Sequence, residues 1–177
     1  MPPNPASPQP VSTDPEPEPA PTTGKHPLHF SVQLALHAPG TAPPSRQQLR
    51  AWAACALLGP VATTLRFVDE EEGVQLNSDF RTRGYATNVL TFPYGDDGSG
   101  TLTGDIALCW PVVCREAAEQ HKPVVAHCAH LVIHGMLHLQ GLDHIEEDQA
   151  HAMEALETRI LAKLGFPDPY LAQAPSE

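Results

Sequence analysis

The stretch "KPVVAHCAHLVIHGMLHLQGLDH", residues 122 to 144, contains the most apolar window of the chain and five histidines. Pro123 suits the first turn of a helix, and Gly141 suits the left-handed residue that ends one, so the run predicts a central helix between them. Four imidazoles between Val124 and Leu142 argue against a membrane span. Residues four apart on a helix share a face, with Cβ atoms about 5–6 Å apart, so His134 and His138 can grip a single ion. Gly141 lets the chain turn back sharply and bring His144 to the same point. Three imidazoles with an open fourth position suit a catalytic zinc site, whereas a structural site would be closed by four protein ligands.

His130 also lies four residues from His134. It is eight residues from His138, about 12 Å along a helix axis, so one ion cannot take both. A triad of His130, His134 and an outside group would leave Gly141 and His144 without a role, so His127 and His130 read as hydrogen-bonded or surface-facing histidines. Asp143 stands three residues before Glu146 and reads first as a cap on the following helix. Its other reading is a group that orients a metal-bound histidine.

The register H-x-x-x-H-x-x-G-x-x-H matches the long metalloprotease signature except that Gly135 replaces the glutamate base. Without that carboxylate the usual proton transfer of peptide hydrolysis has no acceptor, whereas a metal can still activate water and polarise a phosphoryl oxygen. Phosphodiester cleavage also needs a positive group for the phosphate, and an arginine fork suits it better than a lysine. Arg66, Arg81 and Arg83 are the candidates; residue pattern alone does not choose among them.

Outward from the central run, "LHFSVQLAL" (28–36) alternates with period two and "VATTLRFVD" (61–69) is β-branched, so both predict strands. "TNVLTFPY" (87–94) and "TLTGDIALC" (101–109) are two more strands, joined by "GDDGSG". Helices are expected over "SRQQLRAWAACALL" with Ser45 as cap, near 70–80, over "WPVVCREAAEQH", and after His144 with Met153, Leu156, Ile160, Leu161 and Leu164 on one face, stopping at Gly165 and Pro167. Four strands with about five helices predict an α/β (α+β) domain built on a small mixed sheet.

The 177 residues are 41 % apolar and 18 % charged, enough for one medium core. Nine of the 20 prolines fall within residues 1–24, which lack Lys and Arg and have little to bury. That segment is expected to be a disordered tail, with a single domain over 25–177. It has no basic start followed by an apolar run, so it does not read as a secretory signal. Cys55, Cys109, Cys114 and Cys128 have no metal-type spacing and read as small buried hydrophobes in a reducing cytosol. Net charge is −11, which excludes a generic basic nucleic-acid binder and requires any RNA contact to be local.

Several blocks resemble the YbeY family of metal-dependent endoribonucleases: "HGMLHLQGLDH", "LNSDFRTRGYATNVLTFP", "TGDIALC" and "EALETRILAKLGFPDPY". Together they span about His29 to Tyr170. The resemblance implies one Zn²⁺ ion on His134, His138 and His144, a functionally required Arg81, and a small mixed sheet with helices around a zinc cleft. It also implies cytoplasmic, single-strand-specific RNA cleavage in rRNA maturation, near the 3′ end of small-subunit rRNA, and in ribosome quality control. The partners implied are rRNA, the small ribosomal subunit and its assembly factors. Gly84, Asn88 and Thr91 depart from residues frequent in the family. Two other readings of the same motif are a ribosome-assembly binding module with a structural metal and a metalloprotease-like hydrolase lacking the usual base.

Overall fold

The structure is a computed structural model that describes Thr23 and residues 25–37, 40–81, 84 and 87–171. The remainder of the expected tail lies outside the described residues. The expected four strands and five helices are all present, in the order β1 (Leu28–Ala35), α1 (Arg46–Cys55), β2 (Val61–Val68), α2 (Glu70–Arg81), β3 (Val89–Asp96), β4 (Leu102–Cys109), α3 (Trp110–Glu119), α4 (Val124–Leu139) and α5 (Glu147–Lys163).

The strands form one mixed sheet in the order β1-β2-β4-β3. β1 and β4 flank β2 in parallel, with Leu28 and Leu102 both opposite Val61. β3 closes the edge antiparallel to β4, placing Val89 opposite Leu108. A parallel pair needs a crossover, and α1 supplies it between β1 and β2. Ser45 caps α1 in a reciprocal box: its hydroxyl accepts from the Gln48 amide, and the Gln48 side chain accepts from the Ser45 amide.

α4 is apolar on nearly every side because it is surrounded. It packs against α1, α3, α5, β3 and β4, burying Cys128, Ile133, Met136 and Leu137 completely. These residues join Leu49 of α1, Leu65 and Phe67 of β2, Ile106 and Leu108 of β4 and Leu161 of α5 in the main core. A smaller cluster of Val68, Cys109 and Val112, with Leu76 of α2 against it, closes the region near α2 and α3. All four cysteines are free thiols, and burial pushes Cys128 up to about 12. Among the described residues, no helix is long and apolar enough to cross a membrane.

The far end of α4 is held by Gln140. Its amide oxygen accepts from Leu58 N at 2.7 Å and its amide nitrogen donates to the Ala56 carbonyl at 2.8 Å. One side chain thus satisfies backbone groups left over where α1 ends. The helix terminus that carries His138 is thereby fixed to the body of the protein.

Candidate metal centre

Three imidazoles meet where α4 ends. Two lie on one face of the helix, and the third returns through the turn predicted at Gly141. That glycine has φ +99°, with Leu142 N donating to Leu137 O and Gly141 N to His138 O, the paired bonds of a Schellman turn. The ring centres of His134, His138 and His144 are 5.5, 5.9 and 6.3 Å apart. A zinc–nitrogen bond of about 2.0–2.1 Å plus about 1.1 Å to each ring centre puts three tetrahedrally arranged rings roughly 5 Å apart. The observed triangle is slightly wider than that and nearly equilateral.

The hydrogen bonds also suit an ion. His138 Nδ1 lies 2.8 Å from the Leu142 carbonyl, and His134 Nδ1 lies 2.6 Å from Glu157 Oε1. A backbone carbonyl can only accept, so His138 carries its proton on Nδ1 and Nε2 is the nitrogen it offers. Imidazole donors held in this way could bind a metal ion.

Asp143 does not do what the sequence pattern suggested. α5 begins at Glu147, Glu146 occupies the cap position without a side-chain bond, and Asp143 Oδ1 instead accepts from His144 N at 2.7 Å. Asp143 stands three residues ahead of that cap position, and its carboxylate is engaged by the amide of its own neighbour. His138, Asp143 and His144 form a compact group whose candidate ligand atoms all lie within 4.8 Å of one another, so these three could hold a metal. Asp143 thus belongs to this compact group, whereas His134, one turn earlier on α4, lies outside it, its ring centre 5.5 Å from that of His144 and 6.3 Å from that of His138.

His130 faces elsewhere, with Nε2 lying 3.0 Å from Glu157 Oε2 and 3.2 Å from the Tyr170 hydroxyl. His127 Nε2 is 2.8 Å from Glu116 Oε2, and Asn88 donates to the same oxygen at 3.0 Å. Both histidines are hydrogen-bonded, as expected. Glu157, which sequence reasoning missed, is fully buried. Burial alone would raise its carboxyl, but hydrogen bonds from His130, His134 and Tyr170 outweigh that and hold it at about 2. Its signal was its position: on α5 it shares the buried stripe of Met153, Leu156, Ile160 and Leu161, where an unpaired carboxylate would be very costly.

Gly135 is buried against the sheet. A Cβ there would sit 3.1 Å from Ile106 Cγ2 and 3.3 Å from Ile106 Cδ1, so any side chain at the position that holds a base in metalloproteases must first displace Ile106 by a few tenths of an ångström. A cavity of about 450 Å³ opens beside His134 and His144, with Val89, Leu131 and Met153 among its apolar lining and Asn88 and Glu154 among its polar groups. Of the candidate phosphate-binding arginines, Arg66 is engaged by Glu72 through two bonds of 2.8 and 3.2 Å. Arg81 is the last residue of α2, and Arg83 lies outside the described residues.

A mixed sheet whose most enclosed helix, α4, ends in a cluster of imidazoles beside an open cavity defines a candidate metal-dependent hydrolase. Residues 47–165 match the family model described as Endoribonuclease YbeY. The chain is 56 % identical over 144 residues to Endoribonuclease YbeY of Aromatoleum aromaticum, covering 81 % of this chain and 92 % of that one. It is 51 % identical over 158 residues to the same-named protein of Bordetella avium, covering 84 % and 96 %. A solution structure of a Thermotoga maritima protein aligns at TM-score 0.47 and 23 % identity, over 79 % of this chain and 99 % of that one. The chain belongs to the YbeY family of endoribonucleases.

Proposed function

We propose that this chain is a zinc-dependent, single-strand-specific endoribonuclease. It acts in the cytoplasm on rRNA near the 3′ end of the small-subunit molecule and in ribosome quality control, with the small ribosomal subunit and its assembly factors as partners. His134, His138 and His144 hold one Zn²⁺, and Arg81 is the residue that faces the phosphate. The observation that carries the reading is the near-equilateral triangle of imidazoles, with His138 held so that Nε2 is the nitrogen it offers.

Zinc held there would supply a Lewis acid for a phosphoryl oxygen and an activated water near neutral pH. The protein's own contribution is positional. The Leu142 carbonyl and the Glu157 carboxylate orient two of the rings, and the cavity next to His134 and His144 receives the strand. A guanidinium from Arg81 would offset the negative charge that grows on the phosphate oxygens in the transition state. Gly135 supplies no carboxylate to take the proton in peptide hydrolysis by the usual route.

The test is cleavage of a single-stranded RNA by the purified chain, lost in His134→Ala and Arg81→Ala while circular dichroism stays native. Cleavage retained by both variants overturns the proposal. The net charge of −11 favours one competitor, an assembly module that docks on proteins and uses its metal structurally. That competitor predicts ribosome-particle binding with no RNA cutting at any zinc concentration.

A further inference from the structure

Glu157 occupies a position that packing alone would assign to an apolar residue, and its two carboxylate oxygens face different groups. Oε1 takes His134 Nδ1 at 2.6 Å; Oε2 takes His130 Nε2 at 3.0 Å and the Tyr170 hydroxyl. The side chain has no solvent contact, so no water competes for these bonds and the carboxylate has little freedom to rotate. Tyr170 reaches it from the chain beyond α5. The segment turns back after Gly165, is pinned by Lys122 Nζ donating to Pro169 O at 2.6 Å, and is folded locally by Tyr170 N donating to Asp168 Oδ1 at 2.9 Å. The Tyr170 ring also meets the His130 ring edge-on at 5.3 Å.

We infer that Glu157 is a positioning residue for the metal centre and that Tyr170, with His130, is the latch that keeps its carboxylate aimed at His134. This rests on the reading of His134 as a zinc ligand. A carboxylate against Nδ1 fixes the proton there, leaves the Nε2 lone pair for the ion and makes that nitrogen a better donor. If Oε2 lost its partners, the buried carboxylate could turn toward another donor, and the His134 ring would lose both its tautomer and its direction. His138 needs no such device because the Leu142 carbonyl, a backbone group, performs the same task. The C-terminal segment is thereby tied to metal retention although it supplies no ligand.

The experiment uses the full-length chain, its Glu157→Gln variant, which keeps the side-chain shape, and its Tyr170→Phe variant, which removes only the hydroxyl. Zinc affinity is measured by competition with a chromophoric chelator, and the His134 tautomer of the metal-free protein by long-range ¹H–¹⁵N NMR. Glu157→Gln should bind zinc about 10- to 100-fold more weakly, with His134 no longer confined to the Nδ1–H form. Tyr170→Phe should show a smaller loss in the same direction, with native circular dichroism for both. Zinc affinity within twofold of the native chain in both variants overturns the inference, and a change in melting temperature without a change in affinity would mark Glu157 as structural only. A native chain that holds zinc tightly and cuts no RNA fails the nuclease reading alone, because affinity and cleavage are scored separately.

Discussion

His138 donates through Nδ1 to the carbonyl oxygen of Leu142 at 2.8 Å, a hydrogen bond that spans the turn at Gly141 and ties the second helical imidazole to the loop carrying His144. The turn and the ring orientation are therefore one unit. Gly141 has φ +99° and open space where a Cβ would lie, so Gly141→Ala meets no clash and suffers only the left-handed backbone penalty, about 1–2 kcal/mol. A urea melt should register that loss, and zinc affinity should fall with it as His144 is displaced.

Zinc should stabilise the folded chain by mass action. At a free concentration near 100 times its Kd the gain is about 2.7 kcal/mol, so a chelated sample should melt at a lower temperature and recover when zinc is restored. His134→Ala should abolish most of that gain. Asp143→Ala should retain more of it, since Asp143 Oδ1 is already bound to the His144 amide.

Gly135→Glu would recreate the metalloprotease signature in sequence but not in space. The new side chain starts 3.1 Å from Ile106 Cγ2 in a buried setting, which combines overpacking with an unpaired carboxylate. A loss of about 3 kcal/mol or more is expected by thermal or chemical melting, with no casein cleavage gained.

Glu116 links stability to acid. Burial raises its carboxyl, but the bonds from His127 and Asn88 outweigh that and keep it below its ordinary range. A carboxyl depressed in the folded state binds fewer protons there than in the unfolded chain. Its contribution is thus complete above the unfolded value, about 4.3, and is lost as pH falls through the folded one. Glu116→Gln should lower the urea midpoint at pH 7 and flatten its decline between pH 5 and the acid limit; an unchanged pH profile in the variant would refute this assignment.

Gln140→Leu should remove the brace between α1 and α4 without changing the imidazoles. Leu58 N and Ala56 O lose their partners, at a cost of about 1–3 kcal/mol each if no water replaces them. Differential scanning calorimetry measures the loss directly.

The element pattern was legible because each segment reports its own environment. Alternation in "LHFSVQLAL" and β-branching in "VATTLRFV" mark strands, and the apolar run ending at Gly141 marks a buried helix, since local propensity and burial agree there. The spacing of His134, His138 and Gly141 determined that two imidazoles share a face and that a third can return to them, because helical period and left-handed glycine geometry are properties of the backbone alone. Sheet order was not legible. Nothing local says that β4 inserts between β2 and β3, which depends on how the crossovers pack.

The tertiary structure alone decided which polar groups support the imidazoles. Asp143 looked like a cap in one dimension, yet the chain path leaves it beside His144 and starts α5 four residues later. Arg66 looked available for a phosphate until Glu72 proved to be within hydrogen-bond reach. Glu157 is 23 residues from His134, and Tyr170 a further 13 from Glu157, distances that only packing of α5 and the returning C-terminal segment against α4 can close. Backbone periodicity is encoded residue by residue, whereas a hydrogen bond between distant side chains exists only once the core has set the helices against one another.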